Sequence, residues 1–304
     1  MAEKVAHVSR IDLAYETFGD PEDPPLLLIM GLASQMILWD EELCGMFVER
    51  GFHVIRFDNR DVGHSTHLRG GPKPKVLRAM VGITQNPAYT LEHMADDAFG
   101  LLDHLGIEAA HVVGASMGGM IAQTMAIRRP ERVLSLASIM STTGNRRAGL
   151  PRMRALTLFL RKAPRDRDAY IDYVDRVFRI IGSPGFDRQG QWVRELAGRS
   201  YDRGIDRGGP ARQIVAIQAS GDRTRALAGV RSPTVVIHGK EDPLIPVRAG
   251  RATARAIPGA ELIEIEGMGH DLPREVWPRI VDAVARNAER ARQPEEAARL
   301  GKRG

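Results

Sequence analysis

The sequence predicts an α/β fold, a mostly parallel sheet with helices on both of its faces. Three observations carry this prediction. Segments that read as strands recur at residues 24–31, a short continuous apolar run, and at 52–58, 110–116, 132–141, 233–239 and 261–266. Segments with helical spacing lie between them. Strand and helix alternate, and that order builds a parallel sheet covered on both sides. The chain has 304 residues, 43% hydrophobic and 27% charged, so it can bury a large core and is not disordered throughout. Cys44 is the only cysteine, which excludes a disulfide scaffold and fits a reducing compartment.

Residues 5–17 alternate loosely and predict an opening pair of strands before the turn at Gly19-Asp20-Pro21. The run PPLLLIMG (24–31) reads as a buried strand, and residues 36–50 read as one helix ended by Gly51. The strand FHVIRFD (52–58) leads into the turn NRDVGHST. Residues 66–88 are rich in Gly, Pro and Lys, and are expected to form a long loop with one short helix. Thr90 caps a helix running to Leu105, Cys44 is packed on its own early helix, and AHVVGAS (110–116) is the next strand. A helix from Met117 to Arg129 and a strand at 132–141 follow.

After Ser141 the pattern changes. Residues 142–210 read as two or three helices with no strand, interrupted at Gly182-Ser183-Pro184-Gly185 and closed by Gly208-Gly209-Pro210. The expected division is a core of 1–141 and 211–290, a helical insertion of 142–210, and a flexible tail of 291–304. Helix resumes near Arg212, strands return at 233–239 and 261–266, and a last helix spans 274–291.

The formal net charge is +5, and the excess is local: 142–210 holds 15 basic and 8 acidic residues, the remainder 28 and 30. Arg and Asp are interleaved there, which reads as a solvated, ion-paired helix face, so no nucleic-acid partner is expected. The chain has no run of about 20 apolar residues and no apolar signal segment, so a cytoplasmic protein without a membrane span is expected. A homodimer is left open.

One segment has the composition of a nucleophile's turn. Gly114-Ala115-Ser116-Met117-Gly118 is a G-x-S-x-G sequence between a buried strand and a helix, placing Ser116 at the C-terminal edge of the sheet. Glycines at 114 and 118 let strand and helix close around it. A serine hydroxyl needs a base and an orienting carboxylate. In open α/β sheets such groups lie just past strand C-termini, which selects His270 after strand 261–266 and Asp242 after strand 233–239, ahead of Glu241. The other histidines lie within strands (His7, His53, His111, His238), on a helix (His93, His104) or in the loop after an early strand (His64, His67). Oxyanion donors are expected from the N–H groups of Leu32 and Met117. No metal or organic cofactor is expected.

The segments LLLIMGL, HVIRFDNRDVGHST, HVVGASMGGMIAQ, TVVIHGKEDPLIP and IEGMGHDLP resemble the α/β-hydrolase superfamily, and the branch they resemble is that of aclacinomycin methylesterase. The resemblance covers roughly residues 5–290. It implies an eight-stranded, mostly parallel sheet with a helical cap at 142–210, and a serine hydrolase acting on a small-molecule carboxylic ester. It implies the same five positions: Ser116 as nucleophile, Asp242 as acid, His270 as base, and Leu32 and Met117 as oxyanion donors. Met30 and Asp61 stand where most of the superfamily has His and Gly, as they do in the named branch. Apolar residues of the insertion (Met153, Leu156, Phe159, Leu160, Tyr170, Tyr173, Val174, Val177, Phe178) are expected mostly to glue the cap, with a minority lining an apolar pocket. Cofactor-free perhydrolysis or carbon–carbon bond hydrolysis by the same triad is one alternative. A slow-turnover ligand-binding protein or receptor is another.

Overall fold

The computed structural model describes residues 2–69, 71–148, 155, 158 and 163–300, with side chains as far as 291. Its centre is one eight-stranded sheet: β1 (Lys4–Val8), β2 (Ile11–Phe18), β3 (Pro25–Ile29), β4 (His53–Phe57), β5 (Ala110–Ala115), β6 (Val133–Ile139), β7 (Thr234–Gly239) and β8 (Glu261–Ile265). The spatial order is β1-β2-β4-β3-β5-β6-β7-β8. The first two pairings are antiparallel and the other five are parallel. The inner strands β4, β5 and β7 are buried at every position, which is why they read as unbroken apolar runs, whereas β1 alternates.

Helices cover both faces. On one side pack α3 (Leu91–His104) and α4 (Met117–Arg128), with Met94, Phe99, Leu102, Ile121 and Met125 in the core. On the other pack α1 (Glu41–Val48) and α10 (Trp277–Leu300), through Leu43, Phe47, Trp277, Ile280 and Val284. The short α2 (Val76–Met80) falls in the predicted long loop. Between β6 and β7 come α5 (Arg167–Ile181), α6 (Gly190–Asp202), α7 (Gly209–Ala219) and α8 (Thr224–Leu227), and α9 (Val247–Ala256) joins β7 to β8. Among the described residues no helix is long and apolar enough to cross a membrane.

Two expectations need correction. Residues 36–50 are not one helix: a 3-10 turn at Met36–Leu38 ends at Trp39, and Asp40 caps a new helix by accepting the Glu42 N–H at 2.9 Å. The helix expected to resume near Arg212 is α7, which starts at Gly209 with proline in its first turn, where the missing N–H costs nothing. The last helix does not stop at 291 but continues to Leu300; residues 301–304 lie outside the described residues, as do Met153, Leu156, Phe159 and Leu160. Tyr170, Tyr173, Val174, Val177 and Phe178 are half-buried along α5.

Candidate active site

Strand β5 ends at Ala115 and α4 begins at Met117, so Ser116 alone makes the turn, at φ 55° and ψ −119°. That backbone is costly for a residue with a side chain and persists only where its surroundings hold it. Here the Ser116 N–H donates to Ile139 O at 2.9 Å, and Ser116 O accepts from Ser141 Oγ at 2.8 Å. The flanking glycines have a steric reason. A Cβ on Gly114 would stand 2.2 Å from Gly118 O, and one on Gly118 would stand 2.0 Å from Ile29 O.

The structure brings the three predicted side chains together. His270 Nε2 lies 3.0 Å from Ser116 Oγ, and His270 Nδ1 lies 2.7 Å from Asp242 Oδ2. Asp242 is fully buried, and its other oxygen accepts the N–H groups of Leu244 and Ile245, both at 2.8 Å. Burial pushes this carboxyl up, but the charge and hydrogen bond of His270, with His238 beside it, outweigh burial and hold it down to about 2. A carboxylate fixed this way orients the imidazole so that Nε2 faces the serine. Glu241, the rival carboxylate, is not part of this line; its N–H is bonded to Met268 O.

Both expected oxyanion donors border the serine. Met117 is the first residue of α4, whose opening N–H groups have no intrahelical acceptor. Leu32 follows Gly31, and a Cβ on Gly31 would stand 3.0 Å from Ser116 Cβ, so this loop runs directly past Ser116.

No other histidine lies on this line, although His238 stands beside Asp242. His238 is fully buried in β7, with Nε2 bonded to Ile245 O at 2.7 Å and 3.6 Å from Asp242 Oδ2. His64 Nδ1 lies 2.6 Å from Glu3 Oε1, and His67 Nε2 lies 2.9 Å from Gly63 O. Cys44 is buried on α1, and burial pushes its thiol up to about 12, where it is neither a nucleophile nor a thiolate ligand.

The two residues that depart from the superfamily pattern have local explanations. Asp61 sits at φ 68°, a conformation that favours glycine. Asp61 is held there by Arg212 Nε and Nη2, by Tyr89 OH and by the Leu68 N–H, each at 2.7 Å. Asp61, His67 and Asp206 converge closely enough to hold an ion, but the Arg212 guanidinium bonds both carboxylates and supplies the positive charge. Met30 is buried in the core, and its carbonyl accepts Asn59 Nδ2 at 2.9 Å.

Sequence reasoning missed the supports of the site. The loop bearing His270 leans on the end of α5: the His270 N–H donates to Ile181 O at 2.7 Å, and the Gly269 N–H donates to Ser183 Oγ at 2.8 Å. Ser183 Oγ also donates to Asp271 Oδ1 at 2.5 Å. The only signal in the sequence was the small-residue run at 182–185, which read as a helix separator.

Residues 24–273 match the family model for the alpha/beta hydrolase fold. The chain belongs to this family. Rhodomycin D methylesterase DnrP of Streptomyces peucetius is 30% identical over 296 residues, covering 90% of this chain and 94% of that protein. The bifunctional esterase/perhydrolase DCH of Acinetobacter calcoaceticus is 25% identical, covering 86% of this chain and 91% of that one. Among solved structures, the thermophilic esterase of Thermogutta terrifontis superposes with a TM-score of 0.71 at 25% identity, over 96% of this chain and 99% of that one. Fold and relatives together make this alpha/beta hydrolase a carboxylic ester hydrolase.

Proposed function

We propose that the protein hydrolyses a small or medium carboxylic ester through an acyl-enzyme on Ser116. The observation that carries the reading is the line from Ser116 Oγ to His270 Nε2, 3.0 Å, and from His270 Nδ1 to Asp242 Oδ2, 2.7 Å. His270 takes the serine proton as Oγ attacks the ester carbonyl. Asp242 holds the imidazole in the productive tautomer and stabilises the imidazolium. The N–H groups of Leu32 and Met117 receive the oxyanion of the tetrahedral intermediate. The alcohol leaves with the proton from His270, and water activated by the same imidazole releases the acid.

Residues 142–210 serve as a cap over the core of 1–141 and 211–290, and half-buried Tyr170, Tyr173, Val174, Val177 and Phe178 are available to it. Within the class of carboxylic esters, the methylesterase relatives favour a methyl ester. The test is a comparison of three reactions on one preparation: methyl and p-nitrophenyl ester hydrolysis, peracid formation from a short carboxylic acid and hydrogen peroxide, and cleavage of a vinylogous diketone. Ester hydrolysis should exceed the other two in kcat/KM. Dominant peracid formation or carbon–carbon cleavage contradicts the proposal, and so does tight binding of a non-ester ligand with negligible ester turnover.

A further inference from the structure

We infer that Gln213 is a positioning residue for the oxyanion loop, acting through the backbone of Ala33. This rests on the reading of Leu32 as an oxyanion donor. The Ser34 N–H donates to Gly31 O at 3.3 Å, closing a four-residue turn over Gly31-Leu32-Ala33-Ser34. Ala33 occupies the third position at φ 60°, while Leu32 is not at positive φ. A turn with positive φ only at its third position has its central peptide flipped relative to the common form, and glycine is the residue suited to that place. Alanine there is disfavoured, so an outside contact has to hold the flip.

Gln213 makes that contact. It lies on α7, is fully buried, and its Oε1 accepts the Ala33 N–H at 2.8 Å. Its Nε2 donates to Arg60 O at 3.0 Å, which fixes which end of the amide faces the loop. The loop is pinned on either side of the turn: Asn59 Nδ2 donates to Met30 O at 2.9 Å, and the Met36 N–H donates to Asp58 Oδ1 at 2.7 Å. Relaxation of the Leu32–Ala33 peptide is therefore absorbed within residues 31–34, where the Leu32 N–H lies. Gln213 holds the flipped peptide and, with it, the aim of that N–H.

The test uses Gln213→Met, Gln213→Glu, and Gln213→Met combined with Ala33→Gly, with Ser116→Ala beside them. Two quantities are read: kcat/KM for p-nitrophenyl butyrate and Ki for a trifluoromethyl ketone, which forms an oxyanion on the serine. Gln213→Met should lower kcat/KM and raise Ki, each by about 10-fold or more, since small misplacements of catalytic groups cost this much. Gln213→Glu in its protonated form keeps an acceptor for the Ala33 N–H and a donor for Arg60 O, and compared with wild type at a pH where it is protonated should stay within about threefold. Ala33→Gly should restore most of the activity of Gln213→Met, because glycine takes positive φ without strain. Unchanged Ki in Gln213→Met, no rescue by Ala33→Gly, or a tenfold loss in protonated Gln213→Glu overturns the inference. If Gln213→Met does not fold, Gln213→Asn, whose amide falls one methylene short of the Ala33 N–H, is read in its place and should lower kcat/KM and raise Ki alike; unchanged values there overturn the inference. Activity surviving in Ser116→Ala would instead overturn the underlying reading, whatever the Gln213 variants do.

Discussion

Arg203 closes on Asp58 at 2.8 Å, tying the C-terminal end of α6 to the residue that follows β4. Asp58 is fully buried, and besides Arg203 it accepts the N–H groups of Met36 and His64. One buried carboxylate thus joins the inserted helices, the loop that leads away from β3, and the turn after β4. Arg203 also donates to Gln35 Oε1 at 2.6 Å, and Gln35 Nε2 donates to Ser200 O at 2.8 Å.

Removing one partner of a buried pair leaves an uncompensated charge, which costs on the order of 3 kcal/mol. Arg203→Met should therefore lower stability by about that amount in urea unfolding monitored by circular dichroism. A loss below about 1 kcal/mol would mean that Asp58 is satisfied by its N–H donors alone.

Ser183 supports the histidine loop from the other side of the site. Ser183→Ala removes the acceptor of the Gly269 N–H and the donor to Asp271, a carboxyl that burial already raises. The expected cost is about 1–3 kcal/mol of stability, from a part-buried donor left without a partner. A several-fold lower kcat should accompany it, because His270 is the next residue. Steady-state ester kinetics and thermal melts on the same variant check both. A wild-type kcat at reduced stability would limit Ser183 to holding the fold.

Asp242 makes stability pH-dependent with a defined sign. Its carboxyl is held down to about 2 in the folded protein, against an ordinary value of 3.8. A depressed folded-state pKa contributes stability that is fully present above the unfolded value and is lost as pH falls from near 3.8 towards 2. The contribution is roughly 2 kcal/mol. The stability gap between wild type and Asp242→Asn should accordingly be largest near neutral pH and narrow below pH 4, read from urea midpoints at successive pH values. A gap that stays constant down to pH 3 would contradict the depressed pKa. At neutral pH the same variant should lose about 10³–10⁴-fold in kcat, because the amide stabilises the wrong imidazole tautomer.

The fold and the central side chains were legible in the sequence for a physical reason. Ser116 and Asp242 follow β5 and β7, strands buried at every position and written as nearly unbroken apolar runs, while His270 follows the edge strand β8, whose ELIEI alternates between charged and apolar residues; each segment points to its own C-terminal end. The supports were not legible. Gln213 meets Ala33 across 180 residues, Arg203 meets Asp58 across 145, and Ser183 meets Gly269 across 86. Nothing in the helical period of the inserted segment states which of its polar residues will face the core. The break at Trp39-Asp40 was hidden in the same way, because an apolar 3-10 turn and the helix after it share a helix-like spacing.

The central claim is that Ser116 is the nucleophile of an ester-cleaving acyl-enzyme cycle. Its most direct test is the time course of p-nitrophenol release from acetate, butyrate and octanoate esters by wild type and Ser116→Ala, from the first turnover into steady state. The account predicts continuous turnover by wild type and a loss of at least about 10³-fold in the folded variant, since removing a triad nucleophile leaves only the residual catalysis of binding and the oxyanion hole. Equal turnover by the two proteins would contradict it.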